Sequence, residues 1–169
     1  MDEERNVAIV RRYFDEVWNK GNLEAAEAAL AWARRAHPEQ KLIVCGWSLG
    51  AAVAIQLAAR HPESVDRLVL LSPWSTLRAL AGEHYPAFLV GAMLRERYDS
   101  LAAAPSIRCP ALVVHGAADT IIPARHGEAL ARALGPRGGF VALAGAGHND
   151  LLAAPEAWAQ IGAFLAAAR

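Results

Sequence analysis

Leu42-Ile43-Val44-Cys45-Gly46-Trp47-Ser48-Leu49-Gly50-Ala51-Ala52-Val53-Ala54-Ile55 is the stretch that decides the fold. It passes from a short apolar run rich in β-branched residues, through a G-x-S-x-G pentapeptide, into an alanine-rich run with helical spacing. A strand that enters a helix over so few residues has to turn sharply. Such a turn strains the serine and thrusts its hydroxyl out of the sheet. The two flanking glycines are expected to let neighbouring backbone pass without a Cβ clash. The helix N-terminus behind the serine offers amide donors and a positive dipole end to an oxyanion. The plainer reading is a glycine-rich turn that happens to hold a serine, so the surroundings have to decide.

Working outward, the apolar run 41–45 is followed by three more of its kind, at 67–71, 111–115 and 140–143. Helical patterns fall between and after them, at 49–61, 86–97, 124–134 and 155–168. Strands apolar on both faces, alternating with helices, predict a parallel sheet covered by helices, joined by right-handed crossovers. The fold class is therefore α/β, with about four parallel strands. The forty residues before the first strand contain no strand-like run. Val7, Val10, Phe14 and Val17-Trp18 predict a helix over 4–18, Gly21 suits its C-terminal cap, and a second helix runs from about 23 to 36.

Composition agrees with a packed globular domain. The 169 residues are 54% hydrophobic and 20% charged, and 17 basic side chains balance 17 acidic ones. A neutral chain without a basic stripe gives no sign of a nucleic-acid partner. No segment reaches the ~18 apolar residues of a membrane span, and Met1-Asp2-Glu3-Glu4-Arg5 lacks the features of a secretory signal, so the expected location is cytoplasmic. Cys45 and Cys109 have no metal-ligand spacing and adjoin apolar runs, so both are expected to be buried, reduced thiols. No zinc motif, phosphate-binding loop or dinucleotide fingerprint is present, and no metal or cofactor is expected.

A serine hydroxyl becomes a nucleophile only when a base takes its proton, and that base needs an orienting acid. The third strand runs into Val114-His115-Gly116-Ala117-Ala118-Asp119, which sets Asp119 beyond the carboxyl end of a strand, where open α/β sheets carry their functional groups. The fourth runs into Ala144-Gly145-Ala146-Gly147-His148, which sets His148 on the same edge. Alone, Asp119 suits a turn or cap and His148 a solvated loop. Together, in the order Ser48, Asp119, His148, they make a candidate catalytic triad. His115 reads as a strand-end histidine rather than a base, and His37, His61, His84 and His126 read as surface histidines.

From about residue 29 onward the chain resembles the C-terminal part of an α/β-hydrolase, nearest the serine aminopeptidase-like and monoglyceride-lipase-like branch. The motifs that carry the resemblance are Leu42 to Gly50, Leu68-Val69-Leu70-Leu71-Ser72-Pro73-Trp74, Arg108 to Gly116 with Asp119 and Pro123, and Gly145 to His148. The resemblance implies Ser48 as nucleophile, Asp119 as acid, His148 as base and the Leu49 amide as an oxyanion donor. It also implies a cap at 74–106. Trp74, Tyr85, Phe88 and Met93 there, with Trp47 of the pentapeptide, are the candidate substrate-pocket residues. Ordinary packing of a crossover helix explains the same apolar residues equally well.

In that family the nucleophile follows the fifth strand of a larger sheet. The first strands and the second oxyanion donor are therefore expected to be missing, which leaves the first strand as an exposed edge. Residues 6–23 instead resemble the opening helix of SnoaL-like polyketide cyclases, which divides the chain into a helical segment 1–28 and a partial hydrolase domain 29–169. The expected function is acyl-enzyme hydrolysis of a small acyl ester or amide, weakened by the lost donor. The alternative is a non-catalytic remnant that acts as an interaction module or homodimerises through its open edge.

Overall fold

The computed structural model describes residues 22–86, 88, 90 and 98–167. The helix predicted over 4–18, Met93 and most of the helix predicted over 86–97 lie outside them. The chain divides into two compact units, Met1–Gln40 and Lys41–Arg169. In the first, α1 (Glu24–Ala36) carries Glu24 and Glu27 in its first turn and Arg34 and Arg35 in its last, complementing the helix dipole.

The second unit runs β1 (Ile43–Trp47), α2 (Leu49–Arg60), β2 (Arg67–Leu71), α3 (Leu77–His84), α4 (Ser100–Ala103), β3 (Ala111–Gly116), α5 (Arg125–Ala133), β4 (Gly138–Leu143) and α6 (Pro155–Ala166). The four strands are parallel and lie in sequence order, β1-β2-β3-β4. This is the predicted sheet. Parallel strands bring all their carboxyl ends to one edge, so the residues just after β1, β3 and β4 meet there.

The two central strands are buried at every position. On β3, Leu112 and Val114 join the core beneath α6, with Val69 and Leu71 of β2 and Leu151, Ala157 and Ile161. Val113 and His115 point the other way, onto Gly127 of α5. The outer strands are less covered. Register pairs Cys45 with Val69 and Trp47 with Leu71, which sets both on the α6 side of the sheet. The packing of α6 is against β3 and β4, and Ile43, Cys45 and Trp47 stay exposed. Cys109 is buried as expected, but Cys45 is not. An apolar run predicts a strand; it does not say whether that strand lies at the edge.

Other differences are local. β1 begins two residues later than predicted and continues through Gly46-Trp47 to the serine. β4 begins at Gly138 rather than 140. Helix α3 is not among the predicted helices: at eight residues, with Leu77, Leu80 and Ala81 as its apolar positions at helical spacing, it is too short for its periodicity to stand out. Its start is fixed by Thr76, whose side chain accepts from the Ala79 N–H at 3.0 Å.

Arg67 fastens the last helix to the sheet. Its guanidinium donates to the Phe164 carbonyl at 2.7 Å and the Ala167 carbonyl at 3.0 Å, and lies 5.1 Å from the Phe164 ring centroid. These carbonyls are among the unpaired acceptors at a helix C-terminus. Arg67→Ala is expected to lower unfolding stability by about 2–4 kcal/mol, read by urea titration.

Candidate active site

Ser48 stands at the hinge between β1 and α2 with φ 53° and ψ −116°. A residue with a Cβ held there costs about 1–3 kcal/mol, so the surroundings must enforce it. They do so through the Ser48 N–H, which donates to the Leu71 carbonyl at 2.8 Å, and the Ala51 N–H, which donates to the Ser48 carbonyl at 3.0 Å. A Cβ at position 46 would lie 2.2 Å from the Gly50 carbonyl oxygen. At position 50 an added Cβ meets nothing within 4 Å. The expectation that both glycines relieve a clash is therefore corrected: only Gly46 does. In denaturant titrations Gly46→Ala is expected to cost on the order of 4 kcal/mol or to prevent folding, while Gly50→Ala stays within about 1 kcal/mol of wild type.

From this hinge the Ser48 hydroxyl lies 3.1 Å from Nε2 of His148. On the far side of the ring, Nδ1 lies 2.7 Å from Oδ2 of Asp119. A carboxylate only accepts, so the ring proton sits on Nδ1 and the Nε2 lone pair faces Ser48. The loops that bring these residues together are tied to each other. The Ala117 N–H donates to the Leu143 carbonyl at 2.8 Å, and the Ala118 N–H to the Ala146 carbonyl at 3.0 Å. The other Asp119 oxygen, Oδ1, accepts from the N–H groups of Ile121 at 3.0 Å and Ile122 at 2.8 Å. Burial alone would raise the Asp119 pKa. The Ile122 amide, His148 and the Ile121 amide outweigh it and hold the carboxyl below its ordinary value.

The remaining candidates lie apart in character. The Trp47 ring lies over the His148 imidazole, with centroids 5.5 Å apart and planes tilted by 32°. Leu49 opens α2, so its N–H has no acceptor within the helix. Trp74 is buried, its indole N–H directed at the Tyr98 carbonyl 3.4 Å away. Tyr85 and Phe88 are exposed at 64% and 74%. Met93 is outside the described residues. Among the described residues no three His, Cys, Asp or Glu side chains are grouped so as to hold a metal ion.

The sequence reading missed a layer of polar contacts behind these residues. His126 is buried, not on the surface, with Nδ1 2.8 Å from the Ser75 hydroxyl and Nε2 3.6 Å from Glu83 Oε1. His84 Nε2 lies 3.1 Å from the Ile121 carbonyl. Helix α3 is thereby tied to the Asp119 loop and to α5, where Arg125 also pairs with Glu83. Burial pushes the pKa values of both His115 and His126 down. Below about pH 6.5 the unfolded chain therefore takes up protons that the folded chain refuses, and stability falls as pH drops through that value. Asp119 adds a second loss at lower pH, below its unfolded pKa near 3.8. Thermal melts from about pH 8 to pH 3 are expected to show both declines.

Residues 11–93 match the alpha/beta hydrolase fold family, a span that takes in part of the segment 1–28 as well as β1 and β2. A pimeloyl-(acyl-carrier protein) methyl ester esterase of Aromatoleum aromaticum is 30% identical, with 75% of each chain covered. The chain belongs to the α/β-hydrolase superfamily. An uncharacterised Mycobacterium tuberculosis protein is 39% identical to this α/β hydrolase over 105 residues, and the chain spans only 37% of that relative's length. Among solved structures, an esterase domain from a Rhodothermus marinus protein superposes with a TM-score of 0.64 at 25% identity, covering 86% of this chain and 66% of that one. A Pyrococcus furiosus esterase superposes with a TM-score of 0.66 at 21% identity, covering 83% and 60%, a likeness of fold alone. No helix among the described residues of this α/β hydrolase is long and apolar enough to cross a membrane.

Proposed function

We propose that this chain is a serine hydrolase of carboxylic esters, of the serine aminopeptidase-like or monoglyceride-lipase-like branch. The observation that carries the reading is the unbroken line from Ser48 Oγ through His148 to Asp119, at 3.1 and 2.7 Å. Ser48 Oγ attacks the ester carbonyl carbon while its proton passes to His148 Nε2. The proton then leaves with the alcohol as the acyl–Ser48 bond is left behind, and a water repeats the sequence to release the acid. Asp119 holds the imidazole in the tautomer this needs and stabilises the imidazolium. Trp47, packed on the ring, keeps bulk water from one side of it. The Leu49 N–H stabilises the oxyanion.

Leu49 is the one oxyanion donor this reading assigns, and a site that works with one donor in place of two is expected to be slower by about 10²–10³. A cap over 74–106 that carries Tyr85 and Phe88, as the family resemblance implies, would favour an apolar acyl group over a charged one. The test is labelling of the purified chain with a fluorophosphonate, followed by mass mapping of the modified residue. A label on Ser48 is the expected result; a folded chain that takes no label contradicts the reading.

A second reading rests on β1, an edge strand of the sheet among the described residues, where Ile43 and Trp47 are exposed at 43% and 37%. A strand with unpaired N–H and C=O groups is a template for another strand. On this reading the chain is a dimerisation module. Light scattering is expected to give a dimer that persists in Ser48→Ala, and a monomer at all concentrations contradicts it.

A further inference from the structure

His115, at the end of β3, is completely buried and takes no part in moving the Ser48 proton. Its Nε2 lies 2.8 Å from the Ile122 carbonyl oxygen and 3.4 Å from Asp119 Oδ2. Both of these groups are acceptors, so the ring proton is on Nε2 and the N–H leans between them. The other nitrogen, Nδ1, has no hydrogen-bond partner among the described residues. A buried lone pair without a donor is unfavourable, and an aliphatic side chain in the same space would avoid it. Packing alone therefore does not account for a histidine here.

The neighbouring helix is shaped around the ring. A Cβ at Gly127 of α5 would lie 2.4 Å from His115 Nδ1 and 3.1 Å from Val113 Cγ1, so the α5 backbone closes directly on the imidazole. With its back fixed in this way, the ring presents Nε2–H to the Asp119 loop in one orientation. That loop is braced at consecutive carbonyls, Ile121 by His84 at 3.1 Å and Ile122 by His115 at 2.8 Å. The amides of the same two residues hold Asp119 Oδ1.

We propose that His115 is a positioning residue for the Asp119 carboxylate: its Nε2–H fixes the Ile122 carbonyl and Oδ2 together, so that Oδ2 stays aimed at His148 Nδ1. Release of this brace lets the carboxylate rotate about its side chain and the loop shift, and the imidazole loses its orientation toward Ser48. The charged and titratable groups facing His115 are Asp119 and His148, with His126 on α5. The inference rests on the hydrolase reading only where it is read by reactivity. Its other readout needs no substrate.

The experiment compares His115→Gln, His115→Asn and His115→Leu in the full chain, each checked for folding by circular dichroism. The glutamine amide nitrogen reaches the position of Nε2; the asparagine amide stops short of it, and leucine has no donor. The first readout is the downfield proton resonance of His148 Nδ1–H, assigned by its loss in His148→Ala. The second is the rate of fluorophosphonate labelling at Ser48. Leu and Asn are expected to broaden or lose the resonance and to slow labelling about 10- to 100-fold, with Gln keeping the resonance and staying within about threefold of wild type. If Leu and Asn keep both, or if Gln fails alongside them, His115 only fills space and the inference is overturned. A wild type without the resonance overturns it as well. Should Leu fail to fold, the contrast of Gln with Asn decides. If wild-type Ser48 takes no label, the hydrolase reading falls, and the His148 resonance alone decides the positioning role.

Discussion

Turnover of a short-chain nitrophenyl ester is expected to fall by about 10⁴–10⁶ in Ser48→Ala, to the residual rate that substrate binding and the Leu49 amide supply. On the proposed mechanism the substitution removes the oxygen that attacks the carbonyl and leaves the fold alone. Alanine at position 48 keeps the Cβ and the left-handed backbone, with φ 53°, that the Leu71 and Ala51 contacts already enforce. The circular dichroism spectrum and urea midpoint are therefore expected to match wild type. His148 keeps its bond to Asp119 and loses only the partner 3.1 Å away. A variant that hydrolyses the ester as fast as wild type would show that Ser48 is not the nucleophile.

Asp119→Asn is expected to lower turnover by about 10⁴, nearly as far, with no change in side-chain volume. The reason lies in which oxygen is already engaged. Oδ1 accepts from the Ile121 and Ile122 amides, so an asparagine must keep its carbonyl oxygen there and turn its NH₂ toward His148. That group donates, so His148 Nδ1 must become the acceptor and the ring proton moves to Nε2. An Nε2 that carries a proton cannot take one from Ser48. The same NH₂ also faces the Nε2–H of His115 at the 3.4 Å contact, donor against donor, so some stability is lost too. Nitrogen-15 spectra of the imidazole are expected to report the tautomer flip directly. A variant with wild-type turnover and an unchanged tautomer would remove Asp119 from the mechanism.

How far the sequence foretold this arrangement depended on how local each signal was. β2 falls at the predicted residues because Arg67 to Leu71 is bounded on both sides and buried on both faces. The end of β1 was read two residues short, since Gly46-Trp47 carries no apolar alternation although its backbone still pairs with Leu70 and Leu71. The turn at Ser48 was legible because G-x-S-x-G packs its geometry into five adjacent residues. Asp119 and His148 were legible only as the polar residues that follow strands, and the structure brings both to Ser48. What could not be read was the layer behind them. Burial of His126 depends on Ser75, fifty-one positions away, and the orientation of His115 depends on a glycine of α5. The four-residue spacing from His115 to Asp119 was the available sign, but nothing in a linear pattern says that a strand-end histidine turns toward the loop that follows it.

The Arg67 clasp has a consequence for how the chain comes off the ribosome. Its guanidinium bonds to carbonyls 97 and 100 positions later, and Ser48 meets His148 across 100 positions. Contacts of such sequence separation require a long loop to close before they return any energy, which slows folding and places them late. During synthesis β1 and α2 emerge and can pair with β2 well before α6 exists. The nascent chain thus holds a finished Ser48 turn while the loop that carries His148 is still being made. Ser48 meets His148 only after β4 and the loop that follows it have been made, and the Arg67 clasp closes later still, once α6 is in place.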